Sequence, residues 1–461
     1  MKRLVGAVFL LAVAGFGVYA VMVTRRDRTY RDLVAQGEAA LGQDNTSAAL
    51  EAFSGAIGLK PDAMIGYLKR GETYRRRGEL DAAVRDLGRS TQLDPSAIRA
   101  IEELGDVNLT LKRYPAAAER YREYVQLDDR APRVLYKLAL ARYSDGHAPE
   151  AISALQRAVA QEERFAEAYY LLGLCMRDAQ RLDAARAALE KAVSIQPAML
   201  GAREELADLY GALGQTDDRL TQLEALTALD PGASREVALG LAYARAGQQQ
   251  RAILTLGRAA ERYPDYPYAY VALGRIWLEA AQGGADRIAL SKAIGALEQA
   301  VGSDEGSEGR TLFGRALLLT SDEEAAERVL QDASTRQPVD PMAFYYLAEA
   351  SERLGHFDIA RQALLDYQAL HGDEPDTRRR IGQTMRLGDL SLRMNDPAAA
   401  IAYFQRAAAD APSDPSVLTR LADAEWRTGD VDTARTNVTK ALERDPSDAR
   451  ALALQRRLAR R

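Results

Sequence analysis

Three histidines and one cysteine are the side chains of this 461-residue chain best suited to metal binding or nucleophilic attack. A thiolate beside an imidazole can attack a carbonyl, and three or four such side chains at close spacing can hold zinc. Neither arrangement is written here. His147, His356 and His371 are scattered, and Cys175 lies between Leu174 and Met176 with no histidine in the surrounding stretch. One cysteine also excludes an intramolecular disulfide framework and any cysteine-rich metal site. Phosphate-cradling glycine loops (GxxxxGK[ST], GxGxxG), a GxSxG nucleophile turn and an HExxH metal motif are all missing. Asp and Glu number 66, but nothing in their spacing pairs two for acid–base work. These residues point away from an enzyme, with no catalytic residue, no metal site and no cofactor expected.

The composition indicates what such side chains must be mounted on. Hydrophobic residues make up 47%, charged residues 28% and aromatic residues only 7%. That balance suits a long helical chain, and 461 residues exceed one ordinary hydrophobic core. The formal net charge is −5 and the pI about 5.6, which disfavours a nucleic-acid partner.

Proline recurs on a 34-residue beat: Pro61 and Pro95, Pro197 and Pro231, Pro412 and Pro446. Numbering a 34-residue repeat from its first helix, a bulky residue recurs at position 4, Leu at 7, Gly or Ala at 8, an apolar residue at 11, Ala at 20 and 27, a bulky residue at 24 and Pro at 32. The repeat beginning at Ala166 supplies Tyr169, Leu172, Gly173, Met176, Ala185, Leu189, Ala192 and Pro197 in order. Twelve such repeats can be counted. Positions 4, 7, 8 and 11 share one face of a helix, and 20, 24 and 27 share one face of a second. A small residue at position 8 lets the two backbones approach, and Gly247, Gly355 and Gly429 at position 15 serve the turn between them.

This pattern resembles the tetratricopeptide repeat family from about Tyr30 to Pro446. The resemblance implies an all-α, right-handed α-solenoid of about twelve helix hairpins and a protein-binding role. In that family positions 2, 5, 9 and 12 line a concave groove. Here the resemblance places Tyr136, Leu140, Tyr143, Tyr170, Leu174, Arg177, Leu241, Tyr268, Val271 and Tyr345 there, as a surface for protein or peptide partners. Some relatives grip C-terminal carboxylates with Lys and Asn at groove positions, but this chain has Val34, Glu38, Leu68 and Glu72 there, so that clamp is not expected.

The beat is broken in three places. One step is a residue short before the seventh repeat, seven residues are added around Gln282-Gly283-Gly284, and six around Pro375 to Arg380. The domain plan that follows has an N-terminal segment at 1–29, repeats one to eight at 30–306, repeats nine to twelve at 307–448 and a capping helix at 449–461. In that last helix Leu452 and Leu454 are expected to face inward.

Residues 4–23 form an unbroken run of apolar and small residues, flanked by Lys2 and Arg3 before and by Arg25, Arg26, Arg28 and Arg31 after. Such a run can span a bilayer as one transmembrane helix, or act as an export signal cleaved after Ala20. The anchor is preferred because Val21, Met22 and Val23 extend the run past that site. The flanking charges alone would leave the repeats in the cytoplasm. The export-signal character of the Lys-Arg start favours the periplasmic side of a bacterial inner membrane. The expected protein is a non-catalytic, membrane-associated scaffold that joins partner proteins in building or maintaining a cell-envelope complex. The alternative is an obligate regulatory or accessory subunit of a membrane enzyme or of a secretion or transport complex.

Overall fold

The computed structural model describes residues 2–303, 306–372 and 374–459, without the side chains of 2–14 and 303. Among the described residues there are twenty-five α-helices, one short 3₁₀ turn at Gln282–Gly284 and no strand. Two compact units divide the chain, Met1–Ala225 and Leu226–Arg461.

The first unit is built from consecutive helix pairs: α1 (Lys2–Gly42) with α2 (Thr46–Leu59), α3 (Met64–Arg76) with α4 (Leu80–Leu93), α5 (Ile98–Thr110) with α6 (Tyr114–Leu127), α7 (Pro132–Ser144) with α8 (Ala148–Gln161) and α9 (Ala166–Asp178) with α10 (Leu182–Ile195). Helix α11 (Leu200–Ala212) follows, and the division falls inside α12 (Thr216–Leu229). The second unit pairs α13 (Ala233–Arg245) with α14 (Gln249–Arg262), α15 (Pro267–Ala280) with α16 (Arg287–Ser303), α17 (Ser307–Leu319) with α18 (Glu323–Thr335), α19 (Pro341–Leu354) with α20 (Phe357–His371), α21 (Thr377–Arg393) with α22 (Pro397–Asp410) and α23 (Pro415–Thr428) with α24 (Val431–Arg444). Helix α25 (Ala449–Leu458) closes it. Within each unit every second helix also packs on the first helix of the next pair. No pair covers its own apolar face, so each is stabilised by its neighbours.

The small residue at position 8 is the contact that lets each pair close. A Cβ added to Gly173 would lie 2.6 Å from Leu189 Cγ, which is position 24 of the same repeat. Gly37 meets Phe53, Gly105 meets Tyr121 and Gly388 meets Phe404 in the same way. Phe53, Tyr121, Leu189 and Phe404 are at most 1% exposed, so opposite them only glycine fits without a shift of the partner. The alanines at positions 20 and 27, such as Ala185 and Ala192, are fully buried and let successive pairs pack closely.

Each pair turns through a residue in the left-handed region. Glycines do this at Gly78, Gly146, Gly214, Gly247, Gly355 and Gly429, but Asp44, Lys112, Gln180, Ser321 and Asn395 do it at the same register position. The amide after that residue donates back to the carbonyl five residues earlier: His147 N to Arg142 O at 2.8 Å, and Arg181 N to Met176 O at 2.8 Å. This 6→1 bond closes the first helix and aims the chain into the second.

The two insertions are absorbed differently. The seven extra residues widen the turn at 281–286, where Gln282, Gly283 and Gly284 all have positive φ, and also lengthen α16 to 17 residues. Most of the six extra residues lengthen α21, which has 17 residues and is capped by Asp376, whose carboxylate accepts from the amides of Arg378 and Arg379.

Helix α1 runs unbroken from Lys2 to Gly42, so residues 24–29 are helical rather than a separate linker. Among the described residues no helix is long and apolar enough to cross a membrane. The side chains of residues 4–14 of the expected span lie outside the described residues, and in the rest of it Phe16, Val18, Tyr19, Val21 and Met22 are 53–73% exposed. At the other end, α25 buries Ala451, Leu454 and Leu458, whereas Leu452 is only partly covered. The expectation that Leu452 and Leu454 face inward together is corrected, because residues two apart lie on different sides of a helix.

Candidate protein-binding surface

In the first unit the expected groove residues come together on α7 and α9. Tyr136 is half-buried with its ring 5.3 Å from that of Phe165, and burial pushes its phenol above the ordinary range. Leu140 and Leu174 pack partly buried on the same core. Tyr143 Oη donates to Asp178 Oδ2 at 2.8 Å, and burial together with that carboxylate pushes its phenol up to about 12. Tyr170 lies against α11 at Gly201, where a Cβ would sit 3.0 Å from its hydroxyl. Arg177 Nε donates to Asp178 Oδ1 at 3.1 Å, and its Nη1 donates to Glu205 of α11. A continuous polar line therefore runs from Tyr143 through Asp178 and Arg177 to Glu205, across three successive first helices.

The sequence reading did not pick out the charges that extend this line toward the N-terminus. Lys137 Nζ donates to Glu102 Oε1 at 2.7 Å and to Asp106 Oδ2 at 2.9 Å. Tyr121 Oη also donates to Asp106, at 2.7 Å. Lys69 pairs with Glu38, and Arg99 with Glu72, both at 2.6 Å. The charged pairs lie 27 to 35 residues apart, close to one repeat length, whereas Tyr121 reaches Asp106 within its own repeat. Opposite charges at about that spacing were the available signal, and they bind neighbouring first helices side by side.

In the second unit the expected residues do not gather in one place. Tyr268 is 40% exposed and packs edge-on to Tyr266, with centroids 6.4 Å apart. Tyr345 belongs to another group, 5.6 Å from Tyr346 and 5.5 Å from Tyr367, with the Arg386 guanidinium over its ring. Leu241 is partly buried. Val271 is corrected: it is 1% exposed and presents no open surface. The reason is that α15 is packed against α13, α14, α16 and α17, so position 5 is closed over there.

The residues first considered for chemistry are engaged in structure. Cys175 is fully buried, and burial pushes its thiol up to about 12, which keeps it protonated and poorly nucleophilic. His147 Nδ1 is 3.1 Å from Asp145 in an exposed turn. His356 Nδ1 lies 3.0 Å from the buried Glu327, which also accepts from Ser351 Oγ at 2.5 Å. The His371 ring stacks on Tyr367 with centroids 5.1 Å apart. Among the described residues no three of His, Cys, Asp and Glu gather so as to hold a metal ion.

Sequence models described as tetratricopeptide repeat match residues 34–98, 68–132, 136–199, 237–266, 311–375 and 391–458, together more than half of the chain. The chain belongs to the tetratricopeptide repeat family, whose members mediate protein–protein interactions and are generally non-catalytic. Among individual proteins it is similar to the small glutamine-rich tetratricopeptide repeat-containing protein 2 of Mycosarcoma maydis, 30% identical over 90 residues. That match covers 20% of this chain and spans about a quarter (26%) of the relative's length. Of solved structures, it is similar to MamA at 28% identity, covering 34% of this chain and 93% of that one with a TM-score of 0.34. It is also similar to YrrB, a TPR protein with an unusual peptide-binding site, at 22% identity, covering 41% and 96% with a TM-score of 0.37.

Proposed function

We propose that this chain is a non-catalytic scaffold, held at a membrane by residues 4–23, whose helix pairs bind partner proteins or peptides. The observation that carries the reading is the surface on α7 and α9. Tyr136, Tyr143 and Tyr170 stand there with Leu140, Leu174 and Arg177, each partly exposed and each held by a neighbouring side chain or helix. Aromatic and Arg side chains already fixed in place are the types that dominate protein-binding energetics.

The tether is supported by the exposed apolar stretch of α1, where Phe16, Tyr19 and Met22 are 65–73% exposed. A helix with so much uncovered apolar surface calls for a lipid or protein cover. Because α1 continues into the first repeat without a break, the repeats would begin at the membrane surface. The place proposed is the bacterial inner membrane with the repeats on the periplasmic side, and the role is assembly or upkeep of a cell-envelope complex.

The test is a crosslinking pull-down from membranes, comparing the native chain with one carrying Tyr136→Ala, Tyr143→Ala and Tyr170→Ala. Co-purified proteins should fall on the order of tenfold with far-UV circular dichroism unchanged; undiminished recovery sinks the groove. Deleting residues 2–23 should release the chain from the membrane fraction, and protease accessibility of the native chain decides its side.

A further inference from the structure

We infer that the end of the second unit is a cradle for an acidic, extended segment of a partner protein. The inference rests on the protein-binding reading above but concerns other helices. Helices α21, α23 and α25 each carry two arginines seven residues apart: Arg386 and Arg393, Arg420 and Arg427, Arg450 and Arg457. Seven residues are about two helical turns, so each pair shares one face. All six line a single open groove of about 870 Å³. The two helix-to-helix steps between them, α21 to α23 and α23 to α25, are direct packing contacts.

The charges in this groove do not cancel. Four carboxylates line it with the six arginines. Arg386 is held by Glu352 at 2.8 Å, Arg420 by Asp389 at 3.0 Å and Arg427 by Asp423 at 3.0 Å. The fourth carboxylate, Asp414, accepts from the amides of Ser416 and Val417 and caps α23. Arg393, Arg450 and Arg457 are exposed and make no direct ion pair among the described residues, while Arg393 and Arg450 act at longer range on Asp389, and Arg450 on Asp448. Arg393 lies over the Phe357 ring at 5.2 Å and Arg457 over Trp426 at 5.7 Å. Stacking holds their planar forks in place while leaving the N–H donors unpaired with any carboxylate.

A chain of net charge −5 thus keeps a positive groove at one place. Guanidinium forks pair bidentately with carboxylates, so Asp and Glu side chains are the complementary ligand. Met385, Leu392 and Leu454 add apolar lining between the arginines, which suits a segment that alternates acidic and apolar residues. A duplex or a bilayer is too broad to settle into a groove of about 870 Å³. A flexible extended chain can do so.

The test is fluorescence anisotropy with the full-length chain in mild detergent. The probe is a fluorescein-labelled peptide made of Glu-Ala-Glu-Leu repeats, with its Gln-for-Glu counterpart as control. The native chain should bind the acidic peptide at least tenfold more tightly than the Gln peptide, and binding should weaken as salt is raised. A chain carrying Arg393→Gln, Arg450→Gln and Arg457→Gln should lose at least tenfold with unchanged helicity, because these side chains are exposed. A Lys version of the same three positions should recover part of the loss. Equal binding of the Gln peptide, or undiminished binding by the triple variant, overturns the cradle. Arginine-dependent binding of single-stranded RNA or of phosphatidylglycerol vesicles without binding of the acidic peptide overturns it as well. The Tyr136, Tyr143 and Tyr170 variant should bind the acidic peptide normally, so failure here and failure of the tyrosine surface are told apart.

Discussion

Glycines with three different surroundings should respond to alanine with three different outcomes. Gly173 faces Leu189 with no room for a methyl group, so Gly173→Ala should cost about 1–3 kcal/mol through overpacking. Gly78 has nothing within 4 Å of an added Cβ but holds φ at +77°, so Gly78→Ala should cost about 1 kcal/mol through backbone conformation alone. Gly88 lies inside α4 with open space and ordinary helical φ, so Gly88→Ala should stabilise by about 0.5–1 kcal/mol. Urea unfolding of the three variants measures all of these, and equal signs would refute the distinction. Tyr143 adds a pH effect. Its phenol is raised from 10 to about 12 in the folded chain, so folding keeps a proton that the unfolded chain sheds first. Its contribution is complete below pH 10 and declines between pH 10 and 12. Tyr143→Phe should make the urea midpoint less sensitive to pH in that window; an unchanged slope would show that the Asp178 bond does not form in solution. The position-8 glycines could be read from the sequence because each sits sixteen residues before a bulky partner, except Gly274, whose partner Leu297 lies beyond the seven-residue insertion. Burial of Val271 could not, because position 5 is open or closed according to how neighbouring first helices lean over it.

At the scale of the element, the turn is more uniform than its residues. Lys112 and Gln180 take the same left-handed conformation as Gly146 and Gly214, because the 6→1 bond and the packing of both helices impose it. Composition showed this only where glycine occupied the position. Helix α25 shows the complementary limit: its apolar residues were visible, but its inward face depends on phase. Leu454 is 3% exposed, so Leu454→Ala should cost about 2–5 kcal/mol, whereas Leu452→Ala should cost under about 1 kcal/mol. Thermal unfolding of both variants decides it, and equal losses would mean that the helix is rotated from the position described.

At the scale of the whole molecule, a helix pair is supported by its neighbours rather than by a common core, so a defect should stay near where it is made. Cys175 provides a probe, since it is fully buried in the first unit. Gly388→Ala, which crowds Phe404 in the second unit, should lower the helicity midpoint in urea. The urea concentration at which a thiol reagent reaches Cys175 should remain where it is in the native chain. A matching shift of both midpoints would mean that the chain unfolds as one cooperative body.

Register, helix-pair order and the close approach of Gly to a bulky partner were determined by the sequence alone, because they depend on distances along one chain of fixed helical pitch. Which groove positions stay open, which arginines make no direct ion pair and which leucine of α25 turns inward were decided only in three dimensions. Those properties depend on side chains about a repeat length or more apart in sequence, and small changes in helix phase and tilt determine whether such side chains meet.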